Sequence, residues 1–188
     1  MTIHELIASR RTTFQFQDRP VPDALIQRAL EAARWAPNHK LTEPWRFIVP
    51  GPVMSRRLAE HFASRLGAKL QAKGIDEADI AAKQAAFLAG PASRPPCQMV
   101  VYTIREGNER QQKEDFAATC CAVENLMLAA WSEGVASGWK SFDDPTAYAL
   151  CDLDPTLVQI VGLFQLGYPL HERQSQRQPI NEKIIRTA

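Results

Sequence analysis

Apolar residues recur along the chain at two spacings, one helical and one extended. Helical spacing predicts a short helix that ends near Arg10, a second that begins at Pro22 and stops at Pro37, and a long one from Asp115 to Glu133. Short apolar runs bounded by Gly and Pro predict buried strands. The predicted strands are 45–49, 97–104, 139–142 and 158–168.

Local signals refine these boundaries. Thr2 and Glu5 have the spacing of a capping box at the start of the first helix. Asp144-Pro145 predicts a small helix through an N-cap followed by a proline at the first position, and Asp154-Pro155 repeats that signal. The charged stretch from Arg105 to Glu114 is expected to be a loop.

Two stretches depart from this alternation of core helices and strands. Residues 53–95 hold two amphipathic helical patterns, Met54 to Leu70 and Ala78 to Leu88, which either form a cap or lid or cover the sheet. The tail at about 170–188 is polar with scattered isoleucines and cannot form its own core, so we expect it to lie against another surface. Residues 1–188 as a whole are expected to form one domain.

The helical pattern from Asp115 to Glu133 is apolar on almost every face. A helix that is apolar all round is buried all round. Such burial is difficult within one subunit of 188 residues, so we infer that this helix lies at a subunit interface.

Charge and composition exclude several classes of partner. The chain has 22 basic and 21 acidic residues, a net charge of +1, which argues against nucleic-acid binding and against a polybasic membrane anchor.

No signal peptide or spanning segment is visible, so we expect a cytoplasmic protein. The four cysteines lack metal-ligand spacing and are expected to pack as small apolar residues. Neither a Gly-rich dinucleotide motif nor a P-loop is present.

Two polar segments carry the chemistry of the sequence. Arg10-Arg11-Thr12-Thr13 follows the first helix; the helix macrodipole accounts for one arginine, whereas two arginines and two hydroxyls together suit a phosphate. The loop within 34–47 holds His39 and Lys40 between Trp35 and Trp45. Such side chains on a loop held by two regular elements are a functional hint.

Four segments in order resemble a known family: Arg10-Arg11-Thr12; Ala36-Pro37 through Glu43-Pro44-Trp45-Arg46-Phe47; Glu124 to Ala130 with Gly134; and Gly167-Tyr168-Pro169. Over nearly its whole length the chain resembles the FMN-dependent nitroreductase family. Pro37-Asn38-His39-Lys40 and Trp139-Lys140-Ser141 are most similar to its small YdjA-like NAD(P)H nitroreductases.

The resemblance implies an α+β, nitroreductase-like fold, with a central, mainly antiparallel sheet flanked by helices. It also implies an intertwined homodimer with FMN at the interface and a tail that embraces the partner. The implied cofactor contacts are Arg10, Arg11 and Thr12 at the phosphate and ribityl end, Trp35 and His39 toward the partner's FMN, Trp139, Lys140 and Ser141 beside the flavin, and Arg177 near the phosphate.

The implied activity is an FMN oxidoreductase in which hydride passes from NAD(P)H to flavin N5. Electrons then go to a small electrophilic acceptor, of nitroaromatic or quinone type, in a ping-pong cycle. FMN would carry the chemistry, so no catalytic side chain and no metal is expected. Lys140 is the first candidate for a cation beside N1 and C2=O, and an arginine is the second. Leu41 and Glu43 stand where many relatives carry Asn and Gln.

Other functions remain open. A flavin-binding sensor or storage protein would keep the same contacts without turnover. A member of the family with other flavin chemistry, such as dehalogenation or flavin fragmentation, would also fit. A plain helical dimer would use the arginines and the loop for structure alone.

Overall fold

Four strands form one antiparallel sheet in the order β1-β2-β4-β3, in a computed structural model that describes residues 1–187. The strands are β1 Trp45–Ile48, β2 Cys97–Ile104, β3 Ala136–Lys140 and β4 Val158–Gly167. The helices are α1 Ile3–Ser9, α2 Asp23–Ala33, α3 Pro52–Gln71, α4 Glu77–Ala89, α5 Glu109–Ser132 and α6 Pro145–Cys151. Short 3₁₀ turns lie at His39–Leu41, Pro91–Ser93 and Ile180–Lys183. The predicted α+β fold with an antiparallel sheet is confirmed.

Strands β2 and β4 occupy the centre of the sheet, and both faces of the sheet are covered. Met99 and Val101 point to one face and pack with α2 and α5, through residues such as Leu25 and Leu126. Val100 and Leu163 point to the other face and pack beneath α3 and α6. Successive side chains of a strand face opposite sides, so two covered faces require the nearly continuous apolar runs seen in β2 and β4.

Helix α3 covers the sheet, and α4 forms an outer layer. Leu58 of α3 is buried against Val100 and Phe142, on the face opposite α5. Burial of a side chain of this size stabilises the fold by about 1.5–3 kcal/mol. Helix α4 contains no buried residue and packs on α3. Of the two interpretations of the 53–95 excursion, the structure favours covering of the sheet for its first helix.

The N-terminal capping box at Thr2 and Glu5 and the Asp144 cap of α6 are both confirmed. Two predicted boundaries are wrong in detail. The long helix begins at Glu109 and not at Asp115, because the Asn108 side chain accepts a hydrogen bond from the Gln111 amide and caps it. Strand β3 spans Ala136–Lys140 and not 139–142.

Asp154-Pro155 begins no helix. The Asp154 carboxylate accepts hydrogen bonds from both the amide and the hydroxyl of Thr156, at 2.8 and 2.7 Å, and these bonds close a turn. The same two bonds lower the pKa of Asp154. An Asp-Pro pair therefore signals a helix only where the following residues let the backbone continue, as they do after Asp144.

Helix α5 is not buried all round within one chain. Its buried face includes Ala122, Val123 and Leu126, whereas Ala117 and Cys121 are exposed. The tail after Leu170 is exposed and contributes no core residue, as expected, and Ile185 is 91% exposed. No helix within residues 1–187 is long and apolar enough to cross a membrane.

A β-bulge interrupts the pairing of β2 with β4. Val101 pairs with Gly162 and Tyr102 with Ile160, so Val161 is an extra residue on β4. The indole N–H of Trp139, on β3, donates to the carbonyl of Val161 at 3.1 Å. A Cβ atom on Gly162 would lie 2.3 Å from Trp139 Nε1 and 2.9 Å from the Lys140 carbonyl oxygen. The bulge and the glycine together make the space that the indole occupies.

Gly162→Ala should lower the free energy of unfolding by about 1–3 kcal/mol, because an added methyl group overpacks this position. Chemical denaturation of the flavin-free protein measures the change. Gly51→Ala is the matched control, since nothing lies within 4 Å of a Cβ atom there. Equal stability of the two variants would contradict the packing described for Trp139.

Candidate functional site

The segment after α1 lies along the outer edge of β3. Thr12 pairs with Ser137 in a parallel bridge, and the Thr13 amide donates to the Ser137 carbonyl at 3.0 Å. Backbone groups of alternate strand residues point to the same edge, so the amide and carbonyl of Trp139 point outward with those of Ser137. No strand within residues 1–187 covers that edge beyond Ser137. The segment predicted to bind a phosphate, Arg10 to Thr13, thus meets the segment predicted to lie beside the flavin ring, Trp139 to Ser141, at one open edge of the sheet.

The two arginines at the end of α1 have different partners. Arg11 Nη1 donates to the carbonyls of Ala8 and Arg10 at 2.6 and 2.9 Å, and its Nε donates to the Arg173 carbonyl at 3.1 Å. Arg11 therefore satisfies carbonyls at the helix end, as the macrodipole argument predicts for one arginine. Arg10 Nε lies 3.4 Å from the Glu124 carboxylate on α5. Arg10 is the arginine whose guanidinium points toward the long helix.

A cavity of about 520 Å³ opens beside this segment. Its lining includes Arg11, Thr13 and Arg173, with Trp131 and Gly134 from the end of α5 and the turn after it. Trp131 is fixed there because its indole N–H donates to the Ser9 hydroxyl at 2.9 Å. The two guanidinium groups suit an anionic group of a ligand, and the Glu172 carboxylate lines the same cavity.

Trp139, Lys140 and Ser141 do not point the same way. The Trp139 ring packs on Phe164, with 4.9 Å between ring centroids, and 41% of the residue remains exposed. Lys140 points to the opposite face of the sheet, where its ammonium lies over the rings of Phe14 and Phe62. Consecutive strand residues alternate between faces, so only one of the two side chains can pack against a given face of a planar ligand.

Lys140 carries a charge with no acidic partner among the ion pairs of the described residues. Burial lowers the pKa of its ammonium group. The faces of two aromatic rings compensate the partial loss of water, since a ring face attracts a cation by about 0.5–2 kcal/mol. The ammonium group is thus held by two aromatic rings at the end of β3, on the face of the sheet that α3 covers.

The loop between α2 and β1 is strained. Lys40, Leu41 and Glu43 have φ angles of 56°, 54° and 44°, in the left-handed region that non-glycine residues avoid. Each such residue costs on the order of 1–3 kcal/mol, and such strain concentrates at functional sites. Leu41 is 81% exposed as a result, although it is a large apolar residue.

Hydrogen bonds to α5 hold this strained loop. The Thr42 hydroxyl donates to the carboxyl group of Asp115 at 2.7 Å, and Asp115 is only 2% exposed. His39 Nδ1 lies 2.8 Å from the Glu114 carboxylate. His39 and Arg110, with Arg110 the larger cause, lower the pKa of Glu114. Sequence reasoning missed Asp115 and the strain, because the loop has no glycine and Asp115 was taken only as the start of a helix.

The structure keeps the loop away from Arg10 within one chain. Glu114 contacts His39 and Glu124 contacts Arg10, and ten residues of α5 at 1.5 Å rise correspond to about 15 Å. Trp35 is 71% exposed, with the Arg34 guanidinium 5.3 Å from the centre of its ring. Trp45, by contrast, is buried in the core. Trp35, His39 and Leu41 thus face outward, away from the Arg10 side.

Arg177 lies in the exposed tail, where its guanidinium donates to the Ser175 hydroxyl and, at 3.1 Å, to the Gln176 carbonyl. The structure does not bring Arg177 to Arg10 or Arg11, and its phosphate contact stays a prediction. Thr12 is exposed at the edge of β3. Ser141 is also exposed, and its carbonyl accepts a hydrogen bond from Arg65 of α3 at 2.9 Å.

The thiols divide into two kinds. Burial raises the pKa of Cys97 and of Cys151 to about 11, so both are protonated at neutral pH. Cys121 is exposed on α5, and the expectation of a buried thiol is wrong there. The described part of the chain contains no cluster of three His, Cys, Asp or Glu residues that could hold a metal ion.

The sheet, its helical layers and the polar edge of β3 define the nitroreductase-like fold. The Nitroreductase family model matches residues 7–168. The chain therefore belongs to the nitroreductase family, as its sequence motifs predict.

Two relatives that align with most of the chain support this family assignment. YfhC of Bacillus subtilis is 32% identical over an alignment of 190 positions, gaps included, which covers 97% of this chain and 92% of YfhC. YdjA of Escherichia coli is 28% identical over an alignment of 172 positions, gaps included, which covers 88% of this chain and 87% of YdjA. Both carry the name "Putative NAD(P)H nitroreductase".

Solved structures show the same fold. A nitroreductase-like family protein from Bacillus cereus has a TM-score of 0.79 at 30% identity, with 100% of this chain and 96% of that chain covered. A "putative nitroreductase in complex with FMN" from Desulfovibrio desulfuricans has a TM-score of 0.72 at 21% identity, with coverage of 100% and 98%. The second comparison supports the fold alone.

Thr42→Val should lower the free energy of unfolding by about 1–3 kcal/mol, because it leaves the buried Asp115 acceptor without its donor. Hydrogen exchange of the backbone amides of residues 38–43 should accelerate in the same variant, since the strained backbone loses its anchor. Thr146→Val, at an exposed threonine of α6, is the control. Unchanged stability and exchange in Thr42→Val would show that Asp115 does not hold the loop.

Proposed function

We propose that this protein is an FMN-dependent oxidoreductase that takes hydride from NAD(P)H and reduces a small electrophilic acceptor, of nitroaromatic or quinone type. The observation that carries the proposal is the pairing of Thr12 and Thr13 with Ser137. That pairing places two arginines and a hydroxyl at one end of an open strand edge, and Trp139 and Lys140 at the other. A ligand with an anionic tail and a planar, electron-accepting ring needs both kinds of contact. The arginines and the hydroxyl suit the tail, and Trp139 and Lys140 suit the ring.

The residues present fit FMN. Arg10 offers a forked guanidinium donor for a phosphate, and Arg11 offers Nη2, which its bonds to backbone carbonyls do not use. Exposed Thr12 adds a hydroxyl for the phosphate and ribityl end. The outward amide and carbonyl of Trp139 offer one donor and one acceptor to the edge of a ring. Lys140 supplies positive charge with no competing carboxylate in the described ion pairs. Glu124, beside Arg10, has to yield that guanidinium in part to a phosphate.

FMN, when bound, supplies the redox chemistry: it accepts hydride at N5 and passes electrons on in a second half-reaction, a ping-pong cycle. The protein supplies binding, orientation and a preorganised field. The ammonium group of Lys140 favours uptake of electrons by a ring beside it, because it is already oriented before negative charge develops. No side chain of the site has to form a covalent bond.

A second copy of the chain completes the site in this proposal. Trp35, His39 and Leu41 project from a strained loop that does not approach Arg10 of its own chain. Helix α5 leaves Ala117 and Cys121 exposed, and the tail leaves Ile180 and Ile185 uncovered. A homodimer covers these apolar groups and brings Trp35 and His39 of the partner subunit toward the FMN held by the first.

Anaerobic stopped-flow absorbance tests the reaction. NADH or NADPH should bleach the flavin band of the FMN-loaded protein, and a nitroaromatic or quinone added afterwards should restore it. If the nucleotide bleaches the band only when the acceptor is also present, the ping-pong order is contradicted. If neither nucleotide bleaches the band, the oxidoreductase proposal is wrong and a flavin-binding protein without turnover is favoured.

Arg10→Ala should weaken FMN binding by about 1.5–3 kcal/mol, the scale of a hydrogen bond to a charged group, or on the order of 10- to 100-fold in Kd. Fluorescence titration with FMN measures the change. Arg56→Ala, at an exposed arginine of α3 that lines a different groove, is the matched control. Equal Kd values for Arg10→Ala and the wild type would remove Arg10 from the phosphate site.

A further inference from the structure

Helix α3 contacts the end of β3 at three points. Arg65 Nη1 donates to the Ser141 carbonyl at 2.9 Å. The Phe62 ring lies 4.6 Å, centroid to nitrogen, from the ammonium of Lys140. The Phe62 ring also packs on Phe142, with 5.9 Å between ring centroids. One helix of the 53–95 excursion therefore holds three successive residues after Trp139, and no local sequence pattern predicts that contact.

The position of the Lys140 ammonium depends on aromatic rings. The ring centre of Phe14, from the segment that follows Arg10-Arg11-Thr12-Thr13, lies 5.4 Å from the nitrogen, and that of Phe62 lies 4.6 Å from it. Lysine has a long, flexible side chain, and here the described residues provide no carboxylate to fix its end. The two ring faces are the groups that determine where this positive charge lies.

Arg65 fixes the backbone that follows Lys140. Lys140 is the last residue of β3, so the carbonyl of Ser141 has no partner in the strand ladder and receives the guanidinium instead. The same guanidinium lies 3.9 Å from the Asp144 carboxylate, which caps α6, and 6.0 Å from the centre of the Phe62 ring. Arg65 therefore joins the strand end, the α6 cap and the Phe62 platform.

His61, which precedes Phe62 on α3, reinforces the contact between α3 and residues 140–144. Its ring meets the edges of Phe62 and Phe142 at centroid distances of 5.3 and 5.5 Å. Its Nε2 lies 3.5 Å from Asp144, and burial, the larger effect, lowers the pKa of the imidazole. These packing contacts leave α3 little freedom to move independently of residues 140–144.

We propose that α3, through Arg65 and Phe62, holds Lys140 in the position from which it acts on the bound flavin, which makes Arg65 a positioning residue for the reduction of FMN. The flavin part of this proposal rests on the proposed function; the positioning of Lys140 does not. Loss of Arg65 frees the Ser141 carbonyl and loosens the peptide that carries Lys140. The ammonium group of Lys140 then occupies several positions beside the flavin ring, and its effect on the reduction potential of the flavin decreases.

The first experiment uses the flavin-free protein. Lysine labelled with ¹³C at Cε gives one signal per lysine, and Lys140→Met identifies the signal of Lys140. The rings of Phe14 and Phe62 should shift that signal upfield of the exposed lysines. Arg65→Ala should move it toward the exposed lysines. Arg57 and Arg65 both line a cavity beside α6, and Arg57 makes no side-chain hydrogen bond within residues 1–187. Arg57→Ala should leave the Lys140 signal in place.

The second experiment measures the midpoint potential of bound FMN. Arg65→Ala should make it more negative by about half or more of the shift that Lys140→Met produces, and Arg57→Ala should not change it. In the Lys140→Met background, Arg65→Ala should add almost nothing, because coupled residues are not additive. Arg65→Lys, which keeps a donor for the Ser141 carbonyl, should restore part of the wild-type potential. If Arg65→Ala unfolds the protein, Arg65→Gln takes its place.

Each outcome decides the proposal. An unmoved Lys140 signal in Arg65→Ala overturns the positioning of Lys140, whatever the flavin does. A potential shift of equal size with and without Lys140 shows that Arg65 does not act through it, and overturns the proposed role. If the protein binds no FMN, the proposed function and the flavin role fail together, and the signal of the flavin-free protein still shows whether Arg65 holds Lys140.

Discussion

The outer edge of β3 is the constraint on which the rest of the structure depends. An uncovered strand edge presents unpaired amides and carbonyls and invites association with other chains. Here Thr12 and Thr13 cover one end of that edge, through the bridge to Ser137, and the remainder near Trp139 stays open. This bridge, together with the bridge between Phe16 and Pro169, holds the segment that follows the N-terminal arginines against the sheet. In the proposed function, the first bridge brings together the groups that contact the anionic end and the ring of one ligand.

The two faces of the sheet supply different chemistry to that edge. On the face of α2 and α5, the bulge at Val161 and the absence of a side chain at Gly162 admit the Trp139 indole. On the other face, α3 supplies the aromatic platform and the Arg65 contact that locate Lys140. Each layer of helices therefore stabilises the fold and also fixes one side chain of the candidate site. A substitution in α3 can alter the site without lying in it.

Sequence reasoning located the regular elements whose signals are local. The Thr2 capping box, the Asp144 cap and the apolar runs of β2 and β4 were all recognised, because each depends on neighbours within a few residues. The start of α5 was missed, although Asn108 and Gln111 carry a capping signal, because the surrounding charges suggested a loop. Residues 136–138 begin β3, ahead of the predicted start at Trp139, and the absence of a side chain at Gly138 gives room to Phe14 and the N-terminal segment. The strain at Lys40 and Leu41 and the contact of Phe62 with Lys140 depend on tertiary packing, so no local pattern could predict them.

The central claim is that one FMN binds at each β3 edge of a two-chain assembly. Light scattering coupled to size-exclusion chromatography, with absorbance recorded at the flavin band, tests it most directly after incubation with FMN and removal of the excess. The account predicts a species of two chains that retains one FMN per chain. A protein that elutes as a single chain with bound flavin would contradict the contribution of the partner's loop. A colourless protein after incubation with FMN would contradict the flavin site itself.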